Sequence, residues 1–240
     1  MYCAIVPTYN NPTTIAHVVA QVGEHLPVIV VDDGSAPAGA EAVAELAEQN
    51  RATVVRLAEN GGKGTAIEAG LRRAQALGFT HALALDADGQ HACVDIPRFL
   101  QLSRAHADAM VLGVPRFDAS APLGRRFGRL ISVFWVQVET CSKAIRDPLC
   151  GYRVYPIEPA LKVAELCGRR MDFDPEILVR MAWEGVPIAS LETAVIYPEG
   201  GVSHFRMWRD NVGITKMHTR LCMEAIVRVL SGKGIRGRRA

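Results

Sequence analysis

Several common signatures are missing from this chain. Its six cysteines, at positions 3, 93, 141, 150, 167 and 222, form no CxxC pair, and no thiolate-activating pattern accompanies them, so they read as packing residues. Met1 leads straight into a short strand-like run in place of a signal-peptide pattern. Together with the scattered cysteines, this points to a reduced, cytoplasmic setting. No apolar stretch approaches the ~20 residues of a membrane-spanning helix, so any membrane contact is expected to be peripheral. Internal repeats and low-complexity segments are absent as well.

What is present suffices for a full core. Hydrophobic residues make up 49% of the 240, and α/β chains of this size commonly fold as one unit. The net charge of +2 conceals an asymmetry: residues 201–240 hold nine Lys or Arg against Asp210 and Glu224, a local +7 that leaves −5 on the rest. A basic end favours an anionic partner such as membrane lipid or a lipid phosphate, with nucleic acid not expected; residues 232–240 alone also suit a solubilising tail.

Apolar runs and helical patterns alternate through the first half. Strands are expected at 3–7, 28–31, 53–57, 81–85 and 109–112, interleaved with helices at 15–22, 40–49, 66–77 and 97–105, the first capped by Thr13 or Thr14. This rhythm predicts an α/β fold with a mostly parallel, Rossmann-like sheet flanked by helices, which binds ligands at the carboxyl ends of its strands. Thr8-Tyr9-Asn10, Asp32-Asp33 and Asp86-Asp88 then share one rim. Beyond residue 112 the alternation weakens. Residues 115–149, with Arg125, Arg126, Arg129 and a helical stretch at 130–138, are expected to pack over the site and form its acceptor side.

Asp86 and Asp88 follow an apolar run and stand one residue apart, so in an extended chain both aim the same way. Their carboxylates and the amide oxygen of Gln90 suit Mg²⁺ or Mn²⁺, which complete their shells with water and phosphate oxygens. Alone, the triplet also reads as a polar loop. The glycine loop at 60–65 excludes two familiar motifs. A Walker A loop needs Gly where Leu57 stands and Ser or Thr where Gly64 stands, and the dinucleotide fingerprint needs a third Gly where Ile67 stands. What remains is a turn that starts a helix and brings Lys63 to the rim, either to neutralise a diphosphate or as an ordinary exposed lysine.

Five segments occur in a telling order: Ile5-Val6-Pro7-Thr8-Tyr9-Asn10, Val30-Val31-Asp32-Asp33-Gly34-Ser35, Asn60-Gly61-Gly62-Lys63-Gly64, Asp86-Ala87-Asp88-Gly89-Gln90-His91 and Cys150-Gly151-Tyr152-Arg153. The ordered set resembles family 2 glycosyltransferases of the GT-A fold, particularly the branch similar to dolichyl-phosphate mannosyltransferase and bacterial polyprenyl-phosphate glycosyltransferases. The resemblance spans residues 1–205, a catalytic domain, and leaves 206–240 as a C-terminal amphipathic helix and basic tail. It implies that Pro7, Tyr9 and Asp32 hold the nucleoside, that Asp86, Asp88 and Gln90 hold the metal and through it the diphosphate, and that Lys63 assists. Asn11 stands where the family usually has Glu, and it offers a donor as well as an acceptor, so UDP and GDP both remain open.

The second half adds candidates. Phe173-Asp174-Pro175-Glu176 resembles the family's acidic segment, which puts Asp174 at the catalytic base position; as a helix cap, Asp174 followed by Pro175 is equally well formed. The segment 200–209 resembles the one that closes over the diphosphate and acceptor phosphate, and it contains His204 and Arg206. Arg116 and Arg153 are further phosphate candidates, since a guanidinium matches phosphate oxygens at two points.

The expectation is an inverting, metal-dependent transferase that moves a sugar from a UDP- or GDP-sugar to a lipid-linked acceptor, chiefly a polyprenyl phosphate. Alternatives are a hydroxyl-acceptor glycosyltransferase, a nucleotidyltransferase, which normally carries a glycine- and arginine-rich loop absent here, and a non-catalytic nucleotide-sugar-binding scaffold. Val212, Thr215, Met217, Leu221, Cys222, Ala225, Ile226, Val229 and Leu230 are expected to form one apolar stripe on the last helix, for membrane contact, packing on the sheet or dimerisation.

Overall fold

A computed structural model describes residues 1–116, 123–194 and 207–240; the side chains of 123–127 and 207–209 lie outside that description. Seven strands form one sheet: β1 (Tyr2–Thr8), β2 (Val28–Asp32), β3 (Thr53–Arg56), β4 (His81–Ala84), β5 (Met110–Arg116), β6 (Arg153–Pro156) and β7 (Ile188–Ala194), in the order β3-β2-β1-β4-β6-β5-β7. Eight α-helices accompany them among the described residues: α1 (Ile15–Gly23), α2 (Pro37–Glu48), α3 (Lys63–Ala76), α4 (Ile96–Ala105), α5 (Leu123–Glu139), α6 (Ile157–Ala164), α7 (Phe173–Trp183) and α8 (Met207–Leu230).

Side-chain alternation along the central strands divides the core into two layers. Cys3, Ile5, Ile29 and Val31 face α3, α6 and α7, where they meet Ile67, Leu71, Ala160 and Ile177. Ala4, Val6, Val28 and Val30 face the other way, onto Ile15, Val18 and Val22 of α1, Val43 of α2 and Phe99 of α4. Because both faces are covered, β2 carries no polar residue before Asp32.

The topology places the site. Strand order runs from β1 outward to β2 and β3, then resumes on the other side of β1 with β4, all parallel. That reversal opens a crevice at the strands' carboxyl ends. Among the described strands only β6 is antiparallel to its neighbours, β4 and β5. Its direction brings its first residue, Arg153, beside Ala84, so the preceding Cys150-Gly151-Tyr152 enters the same rim from the opposite direction.

Several expectations change. Strands β6 and β7 add to those read from the sequence, and α5 begins seven residues earlier than 130. Instead of packing over the site, α5 lies beside α7 and α8, with Val136 in the core. The acceptor-side segment 117–122 is outside the described residues. Thr14 occupies the N-cap position of α1 but makes no cap hydrogen bond; its hydroxyl donates to the Ala87 carbonyl at 2.7 Å, tying α1 to the Asp86-Asp88 loop. The stripe on α8 divides: Met217, Leu221 and Ala225 are buried in the core, whereas Val212, Ile226, Val229 and Leu230 are exposed.

The fit of α3 on the sheet depends on Gly70, where a methyl group would stand 2.5 Å from Ile5 Cγ2. Ala in place of Gly favours a helix by about 0.5–1 kcal/mol, but overpacking costs about 1–3 kcal/mol. Gly70→Ala is therefore expected to destabilise the protein, read as a lower midpoint in urea unfolding despite the better helix former.

Candidate active site

The site begins with a carboxylate turned onto the glycine loop. Asp33 accepts hydrogen bonds from Asn60 Nδ2 at 2.9 Å, the Gly61 amide at 2.8 Å and the Gly62 amide at 2.9 Å. This fixes the glycine loop at its entry to α3. Gly62 has φ 98°, and a Cβ there would lie 2.5 Å from the Arg169 carbonyl oxygen, so a side chain is excluded by conformation and by space. The next amide but one, that of Gly64, donates to the same carbonyl at 2.9 Å.

With its backbone held, Lys63 reaches across the rim. Its ammonium lies 2.8 Å from Asp86 Oδ1 and 2.8 Å from Asp174 Oδ2. Burial alone would lower the lysine's pKa, but Asp174 and Asp86 outweigh it and hold the pKa above its usual value. Burial likewise opposes ionisation of Asp86, yet Lys63 and His91 keep that carboxyl below the usual range. His91 Nε2 is 3.4 Å from Asp86 Oδ2. Asp88 is pushed up by burial and by the neighbouring Asp86 charge. Asp88 Oδ1 accepts the Gln90 amide hydrogen at 2.9 Å.

Asp174 lies in the first turn of α7, whose N-cap position belongs to Asp172, and forms ion pairs in place of the expected cap. Arg153 Nη1 approaches its Oδ1 at 3.4 Å and donates to its backbone carbonyl at 2.8 Å. The other Arg153 bonds run to the carbonyls of Cys150 and Pro148, both at 2.7 Å, and to Tyr155. Fully buried, this guanidinium is directed at the protein itself, so it positions Asp174 and the 148–150 turn where a phosphate contact was expected. Asp147 stabilises the same turn: its Oδ1 accepts the Leu149 and Cys150 amides at 2.9 Å, and its Oδ2 meets Arg129 Nε at 2.6 Å.

On the other side of the crevice, Asp32 is fully buried, and its Oδ1 accepts the Ser35 amide at 3.0 Å. Its Oδ2 has no hydrogen-bond partner among the described residues and stands 3.5 Å from Arg56 Nη1. A buried acceptor left open in this way suits a ligand donor. Pro7, Tyr9 and Asn11 are half-buried nearby in sequence, and Asn11 Nδ2 donates to the Tyr9 carbonyl at 3.2 Å. Arg116 is exposed and paired with Glu192 at 2.7 Å. His204 and Arg206 lie outside the described residues.

No group of three or more His, Cys, Asp or Glu among the described residues is arranged to hold a metal. Asp86, Asp88 and Gln90 nevertheless carry the side-chain oxygens that the sequence reading assigned to a metal. This chemistry fits a hard divalent ion that takes its remaining ligands from water and a diphosphate. The sequence reading set Asp33 on the rim without a role of its own and gave none to His91, Asp147 and Gly151. His91 and Gly151 stood inside the quoted motifs, directly beside Gln90 and Cys150.

Comparison with known proteins identifies the family and the fold. The profile of Glycosyl transferase family 2 matches residues 3–149, and the chain belongs to that family. It is 28% identical to the polyprenol monophosphomannose synthase of Mycolicibacterium smegmatis, over 98% of this chain and 87% of that protein. It is also 28% identical to a UDP-N-acetylglucosamine–dolichyl-phosphate N-acetylglucosaminyltransferase of Methanococcus voltae, over 81% of this chain and 85% of that one. Among solved structures, the mannosyltransferase PcManGT of Pyrobaculum calidifontis, in complex with GDP-Man and Mn²⁺, superimposes with a TM-score of 0.62 at 19% identity over 93% of this chain. TarS of S. aureus in complex with UDP-GlcNAc gives 0.61 at 16% identity over 92%. These two establish the GT-A fold, and the chain spans 64% and 66% of their lengths.

Gly151 makes room for the charged cluster: a methyl group there would lie 2.5 Å from Lys63 Nζ and 2.7 Å from Asp86 Oδ2. Displacing reacting or orienting groups by about 1 Å costs on the order of 10²-fold in rate. Gly151→Ala is expected to fold, with unchanged far-UV circular dichroism, and to lose turnover on that scale in a glycosyl-transfer assay.

Proposed function

We propose that this protein transfers a sugar from a UDP- or GDP-sugar to a polyprenyl phosphate, with inversion at the anomeric carbon. The observation that carries this reading is the state of Asp174, both of whose oxygens face cations, Lys63 at 2.8 Å and Arg153 at 3.4 Å. A hydroxyl acceptor needs a base turned toward its oxygen, and here both Asp174 oxygens face cations of the protein itself. A phosphate acceptor is already ionised at neutral pH. Asp174 then orients Lys63 without moving a proton. The names of the relatives, which specify polyprenol, dolichyl or undecaprenyl phosphate chemistry, support the same acceptor class.

In this reading Pro7, Tyr9, Asn11 and the open Asp32 Oδ2 hold the nucleoside, while Asp86, Asp88 and Gln90 hold Mg²⁺ or Mn²⁺. The ion supplies charge neutralisation for the departing diphosphate. Lys63 adds a second positive charge on the same side, and the acceptor approaches from the opposite face, which inverts configuration. Arg116, His204 and Arg206 remain candidates for the acceptor phosphate. Residues 1–205 carry the chemistry.

Residues 206–240 serve attachment to a membrane surface, now shared with α5. No helix among the described residues is long and apolar enough to cross a membrane. Instead α5 exposes Leu130, Ile131, Phe134, Trp135 and Val138, and the neighbouring α8 exposes Met223, Ile226, Val227 and Leu230. Exposed Lys216, Arg220, Lys233 and Arg236 accompany this face, as suits an anionic leaflet.

Two experiments test these assignments. In a screen of UDP- and GDP-sugars against polyprenyl phosphates and hydroxyl acceptors, mass spectrometry is expected to find product with a phosphate. Asp88→Asn or EDTA is expected to remove activity by about 10²–10⁴-fold, whereas Asp174→Asn retains most turnover; product with hydroxyl acceptors alone, abolished by Asp174→Asn, would reverse the acceptor class. In flotation assays the protein is expected to rise with anionic but not neutral vesicles and to be released by high salt, each nearby basic residue contributing about 1 kcal/mol. Phe134→Asp with Ile226→Asp should weaken binding by about tenfold or more, and failure to float at low salt would remove the membrane role.

A further inference from the structure

Lys63 occupies an unusual position for a lysine that only helps neutralise a diphosphate. Its ammonium already has two carboxylate partners, and one of them, Asp86, belongs to the donor set for the divalent ion. The two oxygens of Asp86 are divided between Lys63 at 2.8 Å and His91 at 3.4 Å. An ion approaching Asp86 Oδ1 therefore meets an ammonium in the way, and like charges at that range repel strongly in a partly buried site. The backbone of Lys63 cannot retreat, because Asp33 and the Arg169 carbonyl hold the loop on both sides of it. Only its four-carbon side chain can turn. Asp174 would keep it at the rim.

We infer that Lys63 is a resident cation that competes with the divalent ion for Asp86, so that the ion binds well only together with the diphosphate of the donor. The inference rests on the metal assignment made above. Alone, an arriving ion must break a charge-assisted pair and leave an ammonium beside a dication with Asp174 as its one counter-ion. When a diphosphate arrives with the ion, the displaced ammonium gains a new anionic partner. Ion and nucleotide thereby favour each other's binding, and by linkage the favour is mutual. The same device keeps Asp86 and Asp174 neutralised while the site waits for donor.

The test is Mn²⁺ binding to the full chain, read by the electron paramagnetic resonance signal of the free ion, with and without UDP or GDP. For the natural sequence, the better-fitting nucleotide is expected to tighten Mn²⁺ binding by about tenfold or more. In Lys63→Gln, Mn²⁺ alone is expected to bind about tenfold more tightly than to the natural protein, and the gain from nucleotide should shrink correspondingly. Because Lys63→Gln leaves two carboxylates facing each other, Lys63→Gln with Asp174→Asn provides a variant with less uncompensated charge, for which the same direction is expected. If a folded Lys63→Gln or double variant binds Mn²⁺ alone no better than the natural protein, the competition is overturned. Asp88→Asn separates this from failure of the metal site: if Asp88→Asn does not weaken Mn²⁺ binding in the presence of nucleotide, the donor set itself is wrong. If it does, while the Lys63 variants change nothing, only the role of Lys63 falls.

Discussion

The ammonium of Lys63, lying between Asp86 and Asp174, is the interaction on which the arrangement of this site depends. The carboxylates come from distant parts of the chain, one beyond β4 and one on α7; Asp174 is buried and Asp86 half-buried. Removing the ammonium would leave the buried Asp174 with only Arg153 for a counter-charge. The surroundings can be understood as support for this one contact. Asp33 secures the loop that launches Lys63, Gly151 leaves space beside it, and Arg153 holds Asp174 from behind.

The same logic of buried charge extends outward along α7. Two residues beyond Asp174, the fully buried Glu176 accepts from the Gly168 amide at 2.8 Å and from Arg180 at 2.8 Å, and pairs with Arg220 of α8 at 2.5 Å. Arg180 continues to Glu224 of α8 at 3.0 Å. The helix that presents Asp174 is therefore clamped to the helix whose outer side carries the exposed apolar residues. The rim that carries Asp174 and the exposed apolar side of α8 are thus joined through the same helix pair, and α8 contributes Met217 and Leu221 to the core instead of standing off as a separate tail.

Much of the architecture was legible because local pattern and tertiary burial agree. The runs that became β1, β2 and β4 are apolar because both of their faces are covered, and the acidic residues that follow mark the rim. Legibility ended where the two diverge. Strand β6 has four residues and opens with a buried Arg, so no apolar run announced it. Helix α7 is buried all round, which erases the periodicity of an amphipathic helix. On α8 a single expected stripe became two faces: Leu230 stands nine residues, about two and a half turns, beyond Leu221 and so on the opposite side of the helix, and the neighbours that bury Met217, Leu221 and Ala225 leave Ile226 and Leu230 exposed.

By itself the sequence determined the kind of protein: the strand and helix order, the acidic rim, and the ordered motifs of the glycosyl transferase family. Tertiary structure decided what each charge does. Arg153 has the composition of a phosphate ligand but spends its donors on carbonyls around it, and Asp174 has the sequence context of a helix cap but pairs with Lys63. The physical reason is that a charged side chain's role depends on which partners share its desolvated space, and those partners arrive from strands and loops far apart in the chain.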